Sequence, residues 1–164
     1  MRSLTLAGSL RLRSIKRRTA LSLMGCMLAL VVLLGAAPPP RARTYVVIVN
    51  TANPTSSLTD TDIAKLFLKR KLRWKDGRPV VPVDQRGDSP IRVSFSIDIL
   101  RKKPSAVDNY WQQQIFSARE VPPVEKSSDQ AVIAFVQSNR DAIGYVAASA
   151  TLGAGVKVVE IIQP

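Results

Sequence analysis

Beyond position 44 the apolar residues fall into short, punctuated runs whose period changes along the chain. Tyr45 to Val49 is a continuous, mostly β-branched run, the pattern of a strand buried on both faces in a parallel sheet. Asn50 to Ser57 is polar and contains Asn53-Pro54, the composition of a loop. A helix then opens with Thr59 as its cap, Asp62 at the third helical position, and Leu58 placed to pack on Ile63 as a staple. Its buried stripe is Ile63, Leu66 and Phe67, and it fades into the basic stretch Lys69 to Trp74. Asp76-Gly77 marks a turn before a second strand, Val80 to Val83, which Pro82 makes either an edge strand or a short one.

The stretch from Val80 to Leu100 organises the rest. The apolar run ends at Asp84, a polar turn holds Arg86 and Gly87, and Ser89-Pro90 supplies a cap and a first helical residue. After the cap, Ile91, Val93, Phe95, Ile97 and Ile99 alternate with polar residues, which by period alone is a strand. The cap residues and an equally usable face at 91, 95 and 99 predict a helix instead. Ser105 is expected to cap a further helix with Val107, Tyr110, Trp111 and Ile115 on one face, ended by Val121-Pro122-Pro123. Ser127 or Ser128 starts another, buried through Val132, Phe135 and Val136. Ala142 to Val146, with Gly144 allowing close backbone approach, and Val156 to Ile161 are the last strands. Alternating strands and helices predict an α/β fold with an open, mostly parallel sheet and flanking helices, whose ligands sit at the carboxyl ends of strands. The Asp84 to Ser89 loop lies at such an end.

A helix start after a strand offers free backbone N–H groups and a partial positive charge, the elements of an anion site. Arg92 in the first helical turn opposes the macrodipole, so its placement calls for an anion or for a carboxylate such as Asp88. A plain cap and a cap that also holds an anion both fit these residue types.

Charge first suggests a nucleic-acid binder, since 24 Lys and Arg against 12 Asp and Glu give +12. Eight of those cations precede Thr44, where no acidic residue occurs, which leaves 16 basic against 12 acidic residues beyond it. Lys69 to Trp74 is the sole basic stretch with an aromatic residue, and a nucleic-acid role is not expected. Residues 1–43 read as a targeting segment: a basic start, an apolar stretch from Thr19 to Ala37, and the small residues Gly35-Ala36-Ala37. Cleavage after Ala36 or Ala42 gives an exported, periplasmic domain of residues 44–164. Retention gives an inner-membrane anchor through residues 19–37. Arg17-Arg18 hints at a twin-arginine signal in a poor context, and Cys26 lies too far inside the apolar run for a lipoprotein box. Beyond position 43 there is no cysteine and no histidine, which excludes disulfides, the usual zinc sites and His or Cys nucleophile systems. Asp84 and Asp88 flank the loop, but without a His or Cys nearby they read as surface carboxylates, and neither an enzyme nor a cofactor is expected.

Val46 to Asn50, Asn53-Pro54, Ser57-Leu58-Thr59, Ile63 to Phe67, Trp74, Val83 to Phe95 and Ala142 to Val146, in that order, resemble the phosphate-binding proteins of ABC transporters, members of the type 2 periplasmic binding protein superfamily. The resemblance runs over nearly all of Tyr45 to Ile161. It implies a lobe whose strand-loop-helix binds phosphate through a Ser-Gly-Thr helix start and an arginine a few residues earlier. Ser89 matches the serine; Pro90 stands for the glycine, Ile91 for the threonine and Gln85 for the arginine, with Arg86 one residue late. Only the later lobe and the returning strand are represented, so half of the expected clamp is present.

The resemblance implies an exported module that binds phosphate or a related oxyanion through Arg86, Gly87, Asp88, Ser89, Ile91 and Arg92. The alternative is an interaction module that kept the fold, lost the ligand, and docks a membrane transporter or a periplasmic protein, with Lys69 to Trp74 as a candidate surface.

Overall fold

The computed structural model describes residues 42–162. Apart from Ala42 and Arg43, the leader and anchor readings concern residues outside the described ones. The strands are β1 (Tyr45–Asn50), β2 (Ser57–Thr59), β3 (Val81–Gln85), β4 (Val124–Lys126), β5 (Ala142–Ala147) and β6 (Val156–Ile162). The helices are α1 (Asp60–Phe67), α2 (Pro90–Asp98), α3 (Pro104–Phe116) and α4 (Asp129–Ser138). The six strands form a single open sheet in the order β2-β6-β1-β5-β3-β4. It is mostly parallel, as expected.

β1 is the exception in direction. Its apolar residues are buried on both faces, as its composition predicts, yet it pairs antiparallel with both β5 and β6. Burial on both faces follows from helices on both sides, and the sequence run records that burial, not the direction of its neighbours. Tyr45, Val47 and Val49 face a core shared with α1, α2 and α3, including Phe67, Phe95, Val107 and Trp111. Ile48 joins Val83, Val132, Val136 and Val146 in a second core under α4. These two cores lie within the compact unit Ala42–Pro164.

Pro82 does not put β3 at an edge, because β4 lies outside it. The strand is short, and β4 pairs only with Val83 to Gln85, so the missing Pro82 N–H interrupts no bond on that side. Strands β2 and β4 went unread in the sequence: each has three residues, too few to show a period.

Thr59 accepts a hydrogen bond from Asp62 N at 3.1 Å, and Leu58 and Ile63 are both buried in the first core, as the cap and staple predict. The alternating segment is a helix from Pro90, with Phe95 and Ile99 buried and Val93 and Ile97 outward. Ser128 caps α4. Two expectations for α3 fail. Its cap position is Lys103, with Pro104 opening the helix, so Ser105 is already inside it. Ile115 is exposed, because the helix end runs past the core that Val107 and Trp111 reach.

Gly144 has the close approach its position in β5 suggested. A Cβ there would lie 2.7 Å from Val132 Cγ1 and 3.2 Å from Val136 Cγ2, so α4 seats directly on the β5 backbone. Asn50 and Asn53 tie the β1–β2 loop down. Asn50 Nδ2 donates to the carbonyls of Val136 (3.1 Å) and Gln137 (2.8 Å) at the end of α4, and Asn53 Oδ1 accepts from Thr55 N at 3.0 Å.

Candidate functional site

The carboxyl ends of β3, β4 and β5 converge on the first turns of α2 and α4. Parallel pairing of β3 with β4 and β5 brings these ends together, and each helix start follows its strand by only a few residues. The predicted loop therefore stands where an α/β sheet offers a ligand site.

Its side chains are already engaged with one another. Asp84, at the end of β3, is buried, which corrects its reading as a surface carboxylate. Asp84 Oδ1 accepts from Gln85 N at 2.8 Å and from the hydroxyl of Tyr145 on β5. Asp84 Oδ2 accepts from Arg92 Nε at 3.3 Å. Arg92 Nη2 donates to Asp108 Oδ1 on α3 at 3.0 Å. The cation of the helix start thus finds its anions in Asp84 and Asp108; Asp88, the expected counter-charge, lies elsewhere. Only 3% of Arg92 is exposed, which puts its guanidinium inside the protein.

A second chain of bonds runs through Gln85. Its Nε2 donates to Asp129 Oδ1 at 2.7 Å and to the Tyr145 carbonyl at 3.1 Å, and its Oε1 accepts from Ser89 Oγ at 2.5 Å. Asp129 Oδ2 in turn accepts from Ala147 N at 3.2 Å, joining α4 to the end of β5. Ser89 Oγ also accepts from Arg92 N at 3.4 Å, the cap bond its sequence position predicts.

Electrostatics follow from this packing. Burial, reinforced by the Asp84 carboxylate, pushes the Tyr145 hydroxyl far up, so it keeps its proton and donates. Burial pulls Arg92 down, but Asp84 and Asp108 outweigh it and the guanidinium is held above its ordinary value. Phe95 lies flat on Tyr145, ring centroids 3.9 Å apart at 5°, and closes the cluster on the core side.

The predicted residues divide into two groups. Arg92 and Ser89 belong to the buried network. Arg86, Gly87 and Asp88 are exposed, with Arg86 Nε 3.9 Å from Asp88 Oδ1, and Ile91 is half-buried against the first core. Gly87 passes close over the guanidinium, since a Cβ there would meet Arg92 Nη1 at 3.2 Å. Tyr145, Asp108 and Asp129 were not singled out from the sequence. The signal available was Arg92 itself: a cation in a first helical turn requires carboxylates, but only the fold says which. In the other candidate surface, Trp74 is buried and donates to the Asp141 carbonyl at 3.1 Å, so it is structural. Lys69 pairs with Glu120 at 3.7 Å and Lys71 with Asp62 at 3.2 Å. Among the described residues no group of His, Cys, Asp and Glu could hold a metal ion, and no helix is long and apolar enough to cross a membrane.

Solved structures share this fold. A phosphate ABC transporter substrate-binding protein from Clostridium perfringens, with phosphate bound, matches with a TM-score of 0.57 and 22% identity over 72% of this chain and 44% of its own. An ABC-type phosphate transport receptor from Vibrio cholerae matches with a TM-score of 0.56 and 20% identity over 71% of this chain and 45% of its own. PstS from Borrelia burgdorferi gives 0.52 and 14% over 72% and 47%. No protein-family model and no curated protein matches the chain. The chain spans less than half the length of each of these structures, and its fold is that of the matched part of the phosphate-binding proteins.

Proposed function

We propose that this chain is an exported docking module built on one lobe of the phosphate-binding-protein fold, its anion position at the β3–α2 turn filled from within by Asp84. One observation carries the reading. Arg92, the cation of the helix start, is buried and paired with Asp84 at 3.3 Å and Asp108 at 3.0 Å. An incoming phosphate would have to displace a buried carboxylate or sit beside it, and like charges at such range oppose each other strongly in a low-dielectric site. Gln85, buried beside Arg92, bonds to Asp129 and accepts from Ser89 Oγ. With Arg92, Gln85 and Ser89 held in these bonds, the module acts through its surface. Export rests on the basic and apolar leader of the sequence.

A second reading, oxyanion capture at the loop surface, is favoured by the exposure of Arg86, Gly87 and Asp88 at the start of α2 and by the phosphate bound in the Clostridium protein. A site open to solvent gains little from each charge, and Pro90 contributes no N–H. Isothermal titration of the Ala42–Pro164 unit with phosphate and then sulfate separates the two. The docking reading expects no saturable heat up to millimolar ligand from a folded sample. Saturable binding abolished by Ser89→Ala would overturn it in favour of capture.

A further inference from the structure

We infer that the outer face of α2 and the basic residues at its end form a docking surface for anionic phospholipid bilayers; this rests on the docking reading above and names its partner. Val93 and Ile97, one turn apart on α2, are exposed at 38% and 49%. Ile97 lies against Arg101, Lys102 and Lys103 along one shallow depression. Arg101 and Lys102 also line an adjoining cleft of about 470 Å³, whose other wall carries Lys65 and Arg70 together with one carboxylate, Asp60.

Five cations thus border one continuous face. The carboxylates near it leave that charge largely uncompensated. Asp60 is held by Arg43 at 2.9 Å and reaches Arg101 at 3.7 Å, and Asp98 is half-buried on α2. Arg101 keeps 73% of its side chain exposed despite the contact with Asp60. It also has φ +54°, a left-handed backbone that turns the chain sharply after α2 and groups the cations at its end.

The chemistry favours a lipid surface over a protein. A small apolar pair beside a cluster of cations is the pattern of an interfacial surface, in which shallow insertion and charge attraction act together. A protein interface of standard size centres on buried aromatic anchors, and this face presents none among its exposed residues. Each cation near an anionic surface raises partitioning by roughly five-fold, so the cluster is the main source of affinity.

The test is co-sedimentation of the Ala42–Pro164 unit with vesicles of phosphatidylcholine alone or with about one third phosphatidylglycerol. Binding is expected to the anionic vesicles, to weaken as salt rises, and to fall at least about ten-fold in the combined variant Arg101→Glu, Lys102→Glu, Lys103→Glu. Ile97→Ser is expected to lower it by several-fold, whereas Arg140→Glu, in the turn between α4 and β5 and absent from the lining of both depressions, leaves it unchanged. Equal binding to both vesicle types, no binding at all, or binding indifferent to the Arg101 to Lys103 reversal would overturn the proposal. Far-ultraviolet circular dichroism of each variant guards against loss of fold. Capture of a protein through this face with no vesicle binding would overturn the lipid assignment and leave docking intact, while saturable phosphate binding would overturn docking itself.

Discussion

Arg92 Nε stands 3.3 Å from Asp84 Oδ2, and this pair, eight positions apart in sequence, closes the turn that joins β3 to α2. Both side chains are almost fully buried, at 4% and 9% exposure. Removing one partner of such a pair strands the other in a low-dielectric interior.

Arg92→Met is therefore expected to destabilise the protein by about 3–5 kcal/mol. Asp108→Ala, which removes the exposed second carboxylate, should cost about 1 kcal/mol or less. Urea unfolding of the two variants measures the contrast. Equal losses would mean that Asp108, not Asp84, is the principal counter-charge.

Gly144→Ala forces a methyl into the seat of α4, 2.7 Å from Val132 Cγ1. Overpacking of this kind costs about 1–3 kcal/mol. Pairing it with Val132→Ala should cost less than the two single changes together, because the same space is involved. Simple additivity in denaturant melts would show that α4 does not pack where the geometry puts it.

Ala118 closes α3 with φ +51°, its N–H bonding Ile115 O at 3.0 Å and the next N–H, of Arg119, bonding Gln114 O at 3.1 Å. This is the Schellman position that glycine usually fills. Ala118→Gly is expected to stabilise the protein by about 0.5–1 kcal/mol, whereas Ala134→Gly inside α4 should destabilise it by a similar amount. Thermal melts of the two variants should shift in opposite directions.

Burial pulls the Asp62 carboxyl up, but the Lys71 ammonium that hydrogen-bonds it, the Thr59 hydroxyl and the Lys65 charge together outweigh burial and hold its pKa below the ordinary value of 3.8. A group depressed in the folded state contributes stability above its unfolded pKa and loses it as pH falls through the folded one. Asp62→Asn should thus lower stability at neutral pH, with the gap to the parent narrowing below about pH 4 and vanishing in stronger acid. Acid titration of the unfolding midpoint in both proteins measures this.

Much of the architecture is written in local chemistry. Thr59 with Asp62, Ser89 with Pro90, and Ser128 each fix a helix start because capping bonds form between residues only three positions apart. Gly144 declared a close approach because few other reasons put glycine in a buried apolar strand. The α/β alternation, the buried faces of α1 and α2, and the position of the candidate loop at a strand end all follow from the order of residues. That β1 runs against its neighbours emerges only in the folded sheet, since a doubly buried strand looks the same in either direction. So do the inward turn of Arg92 to Asp84 and Asp108 and the joining of Ser89 to Asp129 on α4 through Gln85. Those partners come from different elements, and a charge seeks the nearest opposite charge in space, a distance that the order of residues along the chain does not encode.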